Sequence, residues 1–292
     1  MNLVRAMSAS GALGSASRIL LIVWVAGMSG GCGQPRVDLF EVPAGPTTVP
    51  ETFDDRDWAT VLRENVKDGL VDYDHLPGHS GPLDRFLASL AAAGPERTPN
   101  LFPSRRARLA YYLNAYNAGV LKAVLHEQVP PTMHDVRRRR LAQGYRLMID
   151  GRPQTLAQVR QAAREESLGD ARIEFCLCDA AKGSPPLRQQ PFRAPLLEDQ
   201  LQQAAREAMD NPRMVNIDHE KERLSVSLVI RQQREEFLDF YRRQTGVSSP
   251  TLTNVLLHLA GSMRRQWLST AVGYQEAVIP FDRSLNRWRS GR

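Results

Sequence analysis

The chain has 292 residues, 42% of them hydrophobic and 24% charged, with three cysteines and a formal net charge of +6. That composition can fill one sizeable core and excludes a disordered chain, while so few cysteines exclude a disulfide-stapled fold.

Arg5 and Arg18, with no acidic residue, precede an unbroken apolar run from Ile19 to Met28 and the small residues Ser29-Gly30-Gly31. A basic start, a short apolar centre and a small-residue exit are the three parts of a secretory signal. Ten apolar residues rising about 1.5 Å each cover about 15 Å, half of a ~30 Å hydrocarbon core, which argues against a spanning helix. The sequence Ser29-Gly30-Gly31-Cys32 resembles a bacterial lipobox, departing from it at Ser29, where such boxes usually carry Leu. The resemblance implies a signal peptide over 1–31 and a diacylglyceryl group on Cys32, with ordinary cleavage nearby and simple secretion as the alternative that Ser29 leaves open. The expected partner is therefore a membrane, and the expected location the bacterial cell envelope, facing the periplasm or exterior. Losing Arg5 and Arg18 lowers the charge of the mature chain to +4.

Residues 33–52 hold Pro35, Pro43, Pro46 and Pro50 without a helical period, the composition of a semi-extended tether. Periodic sequence begins near Asp57, and 53–292 is expected to form one globular domain. Trp58, Val61, Leu62 and Val66 mark one helix, and Leu83, Phe86, Leu87 and Leu90 a second. The strongest helix is Ser104 to His126, with Ser104 as N-cap and a stripe of Leu109, Leu113, Tyr116, Val120 and Val124. The arginines 137–140 invite a phosphate or nucleic-acid reading, but an exported protein meets little nucleic acid, so the run reads as a solvated loop or as a contact with anionic lipid. Strands are expected over Tyr145 to Ile149 and Ile173 to Cys178, and helices over Thr155 to Arg164 and Leu196 to Met209. A hairpin (213–217 with 223–229) and helices near 235–242 and 252–260 complete a mostly helical α+β domain with a small β-sheet.

Two constellations could carry chemistry. Asn114 and Asn117, three apart on the long helix, share a face and need hydrogen-bond partners. They read either as a structural network or as the wall of a polar site. On the expected strand Glu174, Cys176 and Cys178 would face one way, running into a Gly183-Ser184-Pro185-Pro186 turn. Cysteines two apart on a strand lie about 6.5–7 Å apart at Cα, too far for a good disulfide. No histidine accompanies them on that element, so no metal site and no cofactor is expected. His75 and His79 sit four apart in a Pro/Gly-rich stretch where no helix would align them.

Taken together, Tyr112 to Ala118, Asp170 to Leu187 and Ile279 to Asn286 resemble, in order, three motifs of the domain of unknown function 547 family. Its helix motif is similar to Trp-Ile-Asn-Ala-Tyr-Asn-Ala, and its second motif carries a His and a cysteine-containing turn. The match runs from about Asp57 to Asn286, with core motifs in 104–210. It departs where chemistry would sit: Glu174 replaces the typical His, Asp179 and Ser184 the two typical cysteines, and Arg160-Gln161 a frequent Glu-His pair. A thiol nucleophile needs an imidazole or equivalent base beside it, and a serine without one is weak. The resemblance therefore implies a binding or scaffold member with a pocket drawn from Asn114, Asn117, Glu174, Cys176, Cys178 and Ser184. The alternative is a hydrolase or transferase with a site rearranged around Asn114, Asn117, Glu174 and Ser184.

Overall fold

The computed structural model describes residues 36–40, 51–133 and 138–288, with backbone alone for 138–140. The expected signal peptide, Cys32, most of the expected tether and Arg137 lie outside the described residues. In chain order the elements begin β1 (Val37–Asp38), α1 (Arg56–Asn65), β2 (Val66–Lys67), β3 (Leu70–Val71), α2 (Gly81–Ala92) and α3 (Arg105–His126). Then come α4 (Arg138–Gln143), β4 (Tyr145–Ile149), β5 (Arg152–Thr155), α5 (Leu156–Ser167) and α6 (Leu197–Asp210). The last are β6 (Val215–Asp218), β7 (Arg223–Val226), α7 (Leu228–Gln232), α8 (Arg234–Thr245), α9 (Leu252–Leu259), α10 (Ser262–Ser269) and β8 (Gln275–Val278). The result is a mostly helical α+β domain whose strands form small separate sheets, β1-β4-β5, β2-β3 and β6-β7-β8.

Helix α3 is the axis of the core. The Ser104 side chain accepts from Ala107 N at 3.1 Å, satisfying one free N–H of the first turn. Every residue from Leu109 to Leu121 is buried, so the helix is covered all round rather than along the single stripe that its spacing implied. It packs chiefly against α5. Gly119 permits that approach: a Cβ there would lie 2.6 Å from Leu147 Cδ1 and 2.7 Å from Leu156 Cδ2. At the start of α5 a capping box pairs Thr155 and Gln158, fixing where β5 ends and the helix begins.

Four expectations change. Residues 173–178 are not a strand: a short 3-10 helix, Ala171–Phe175, starts at Asp170, whose side chain accepts from Arg172 N. Residues 171–178 are all buried, with α5, α6 and α8 packed against the 3-10 turn. A short apolar run covered on both sides has no period that separates strand from turn. Within the expected tether, Val37 and Asp38 pair parallel with β4 and Leu39 is buried, so this part of it joins the domain. The arginine run is no simple loop, because α4 starts at Arg138. Finally, a 3-10 turn over Leu76–His79 does align the two histidines, stacking their rings at 3.8 Å.

Candidate functional site

The three separated motifs meet around the loop from Cys176 to Leu187. From α3, Asn117 donates through Nδ2 to Cys176 O (2.9 Å) and accepts at Oδ1 from Cys178 N (3.0 Å). One turn earlier Asn114 donates to Phe192 O (2.8 Å), and its Oδ1 accepts from Phe192 N (2.9 Å) and Trp58 Nε1 (3.1 Å). Both amides are thus spent on buried backbone, which supplies no partner of its own in irregular loops. On the far side the closing segment zips onto the loop. Lys182 N donates to Ser284 O, Gly183 N to Asp282 O and Asn286 N to Ala180 O, each at 2.9 Å. Gly183 makes this possible, since a Cβ there would stand 2.7 Å from Asp282 N.

Within this frame an ion pair closes the place where acid–base chemistry would be expected. Arg160 on α5 donates to Asp179 Oδ1 at 2.8 Å and to Tyr116 Oη at 3.0 Å, and the Tyr116 hydroxyl donates to the same Asp179 oxygen at 2.5 Å. Burial pushes the Tyr116 phenol well up, so it serves as a neutral donor. Burial works against the Arg160 charge, but Asp179 and Tyr116 more than offset it and its pKa rises. Glu174 is held in turn by Arg164 Nε at 2.8 Å.

The candidate nucleophiles are similarly occupied. Ser184 Oγ donates to Ala181 O at 2.6 Å and accepts from Asp179 N at 3.3 Å. Cys176 and Cys178 are free thiols, both buried. Burial pushes the Cys178 thiol up to about 11 and that of Cys176 higher, which leaves negligible thiolate near neutral pH. Cys178 Sγ lies 3.8 Å from Ser184 Oγ and accepts from Asn286 Nδ2 at 3.5 Å.

Beside the ion pair are two adjoining hollows. The larger has a cavity volume of about 50 Å³ and lies between Met133, Leu141, Ala181, Leu228, Val229 and Phe281, with Asp179, Gln232 and Arg283 as its polar lining. The smaller, of about 10 Å³, is lined by Arg160, Glu174, Leu177, Asp179, Pro185, Val229, Gln232 and Gln233. Of the six residues expected to form a pocket, Glu174 borders the smaller hollow. Asn114, Asn117, Cys176, Cys178 and Ser184 instead bind the surrounding loops together. The contribution of α7 and of residues 281–283 had no local signal in the sequence. Arg160 and Asp179 did carry one, in falling where the resembled family has other residues. No group of three or more His, Cys, Asp or Glu side chains suited to a metal occurs among the described residues.

Fold and site define a helical α+β domain whose long helix, turn and closing segment converge on one loop. Residues 101–207 match the family model described as "Protein of unknown function, DUF547", which supports the resemblance drawn from the motifs. Neither the curated proteins nor the solved structures gave a match. No helix among the described residues is long and apolar enough to cross a membrane.

Proposed function

We propose that this protein is held at a membrane of the bacterial envelope through lipidated Cys32 and acts there by non-covalent binding at the hollow beside Asp179. One observation carries the binding half of the reading. Arg160 and Asp179, at positions where the resembled family has a Glu-His pair and a cysteine, are closed on each other and on Tyr116. General-base or nucleophilic chemistry needs a group free to accept or attack. Arg160 pairs with the Asp179 carboxylate and so favours its charged, proton-free form, which makes it a weak base, and Ser184 Oγ gives its proton to Ala181 O. No histidine side chain stands in hydrogen-bond reach of Ser184 or either thiol among the described residues. The anchoring half rests on the export signal and the lipobox-like Ser29 to Cys32.

Two measurements test the reading. Metabolic incorporation of an alkyne fatty acid is expected in the native chain and absent in Cys32→Ala; label that persists would contradict lipidation. Ester, peptide and phosphoester substrates are expected to turn over no faster with the native chain than with Ser184→Ala. A rate that falls with that substitution would favour a hydrolase or transferase instead.

A further inference from the structure

The link between β3 and α2 carries two histidines that the site beside Asp179 does not use. His75, at φ −87° and ψ −44°, leads into the 3-10 turn that ends at His79, and the two rings stack at 3.8 Å between centroids. A spacing of four is one that brings side chains together on a helical face. Each ring is oriented by a hydrogen bond at Nδ1. His79 Nδ1 donates to His75 O at 3.0 Å, because a carbonyl can only accept. His75 Nδ1 lies 2.9 Å from Asn65 Oδ1. The Asn65 Nδ2 group donates to Val61 O at 2.9 Å, so the amide turns its oxygen to the imidazole and Nδ1 carries the proton. Asn65 is 2% exposed, and Asp72 Oδ1 accepts from Asp74 N and His75 N at 3.0 Å each. His75 is therefore a fixed group rather than a loose surface ring.

With the protons on Nδ1, both Nε2 atoms are bare lone pairs, and neither has a hydrogen-bond partner among the described residues. An imidazole that donates from one nitrogen to a fixed oxygen is prepared to ligate a metal with the other, since the bond sets the tautomer and raises ligand basicity. From this geometry we infer that His75 and His79 together bind one divalent late first-row transition-metal ion through Nε2, with water completing its coordination. Two neutral imidazoles suit copper, nickel or zinc, whereas magnesium and calcium take oxygen ligands. Local charge also favours a cation. Asp74 is paired with Arg287 at 3.2 Å, while Asp72, three residues before His75, has no ion pair among the described residues. His79 is exposed, so its ring can tilt to bring its lone pair onto an ion held by His75, within the broad range of an imidazole's second torsion. Neither histidine lines the hollows beside Asp179, and the inference is independent of the binding reading above.

Zinc titration of the purified Cys32→Ala chain, free of any polyhistidine tag, tests it through long-range proton–nitrogen spectra of the imidazoles. Both rings are expected to carry their proton on Nδ1 before metal is added. Zinc is then expected to shift Nε2 of His75 and His79 together, saturating at one ion per chain, and to leave His219 and His258 unmoved. Magnesium is expected to shift neither. His79→Ala alters an exposed side chain and leaves the fold intact. It is expected to weaken zinc by on the order of ten-fold or more, since even an outer partner of a metal ligand is worth about 10–100-fold. His75→Ala is expected to do the same, and His219→Ala to change nothing. A proton found on Nε2 of either ring, zinc that shifts one ring alone or neither, or zinc that binds His79→Ala as tightly as the native pair would each overturn the inference.

Discussion

Asn117→Ala tests most sharply how the site is held. The amide joins α3 to the loop by satisfying Cys176 C=O and Cys178 N–H at once, and it is 3% exposed, so water cannot replace it without entry into the core. Leaving a buried donor or acceptor unmet costs about 1–3 kcal/mol. Two such groups give about 2–6 kcal/mol, from which removing the buried amide itself returns a part, for an expected loss of about 2–4 kcal/mol. For a domain of this size that lowers the melting temperature by about 4–16 °C. Urea unfolding followed by tryptophan fluorescence measures it, with the exposed Gln161→Ala as a control expected within about 0.5 kcal/mol of the native chain. A loss for Asn117→Ala no larger than that control would refute the idea that this amide ties the loop to the helix.

The other predictions concern the same frame. Arg160→Met leaves Asp179 without its counter-charge and is expected to cost about 3–5 kcal/mol, while Arg160→Met with Asp179→Leu together cost less than the single change; calorimetric melting of the three variants decides it. Gly183→Ala puts a Cβ 2.7 Å from Asp282 N, so residues 279–286 should lift away, seen as faster amide exchange at Lys182, Gly183 and Asn286 than in the native chain. Cys178 should ignore a thiol reagent at pH 8 in the folded Cys32→Ala chain and react fully in urea. Its folded pKa is raised by burial, so its contribution to stability is complete below the unfolded value of about 8.5 and is lost as pH rises through about 11. Stability should therefore fall, not rise, between those two values.

Much of the fold was written locally. Ser104 after Pro103, and Thr155 with Gln158, announce helix starts because the capping bond forms within one turn. The alternation of Tyr145 to Ile149 gave a strand because one of its faces is buried and the other is not. Where both sides are buried the pattern carries no such information. The run Ile173 to Cys178 is such a case, a turn whose apolar spacing is that of a strand, and the stripe on α3 is part of a helix enclosed all round. The alignment of His75 and His79 is not legible from spacing, because a Pro-Gly stretch can still close a 3-10 turn. The site was half legible. Asn114 and Asn117 demanded partners, yet which backbone they serve, Phe192 and Cys176 to Cys178, lies 59 to 78 residues away. Leu228, Val229 and Phe281 reach the hollow only through the packing of α7 and the closing segment, which no local period encodes.

The central claim is that the groups able to attack a substrate here are already committed to the fold. Intact mass of the chain after exposure to a fluorophosphonate and to iodoacetamide at pH 7.5 tests it most directly, using Cys32→Ala so that only Cys176, Cys178 and the serines can report. The account predicts no adduct beyond that of the heat-denatured control for the fluorophosphonate, and thiol labelling only after denaturation. A single fast adduct on the folded chain, lost in Ser184→Ala or Cys178→Ala, would contradict it.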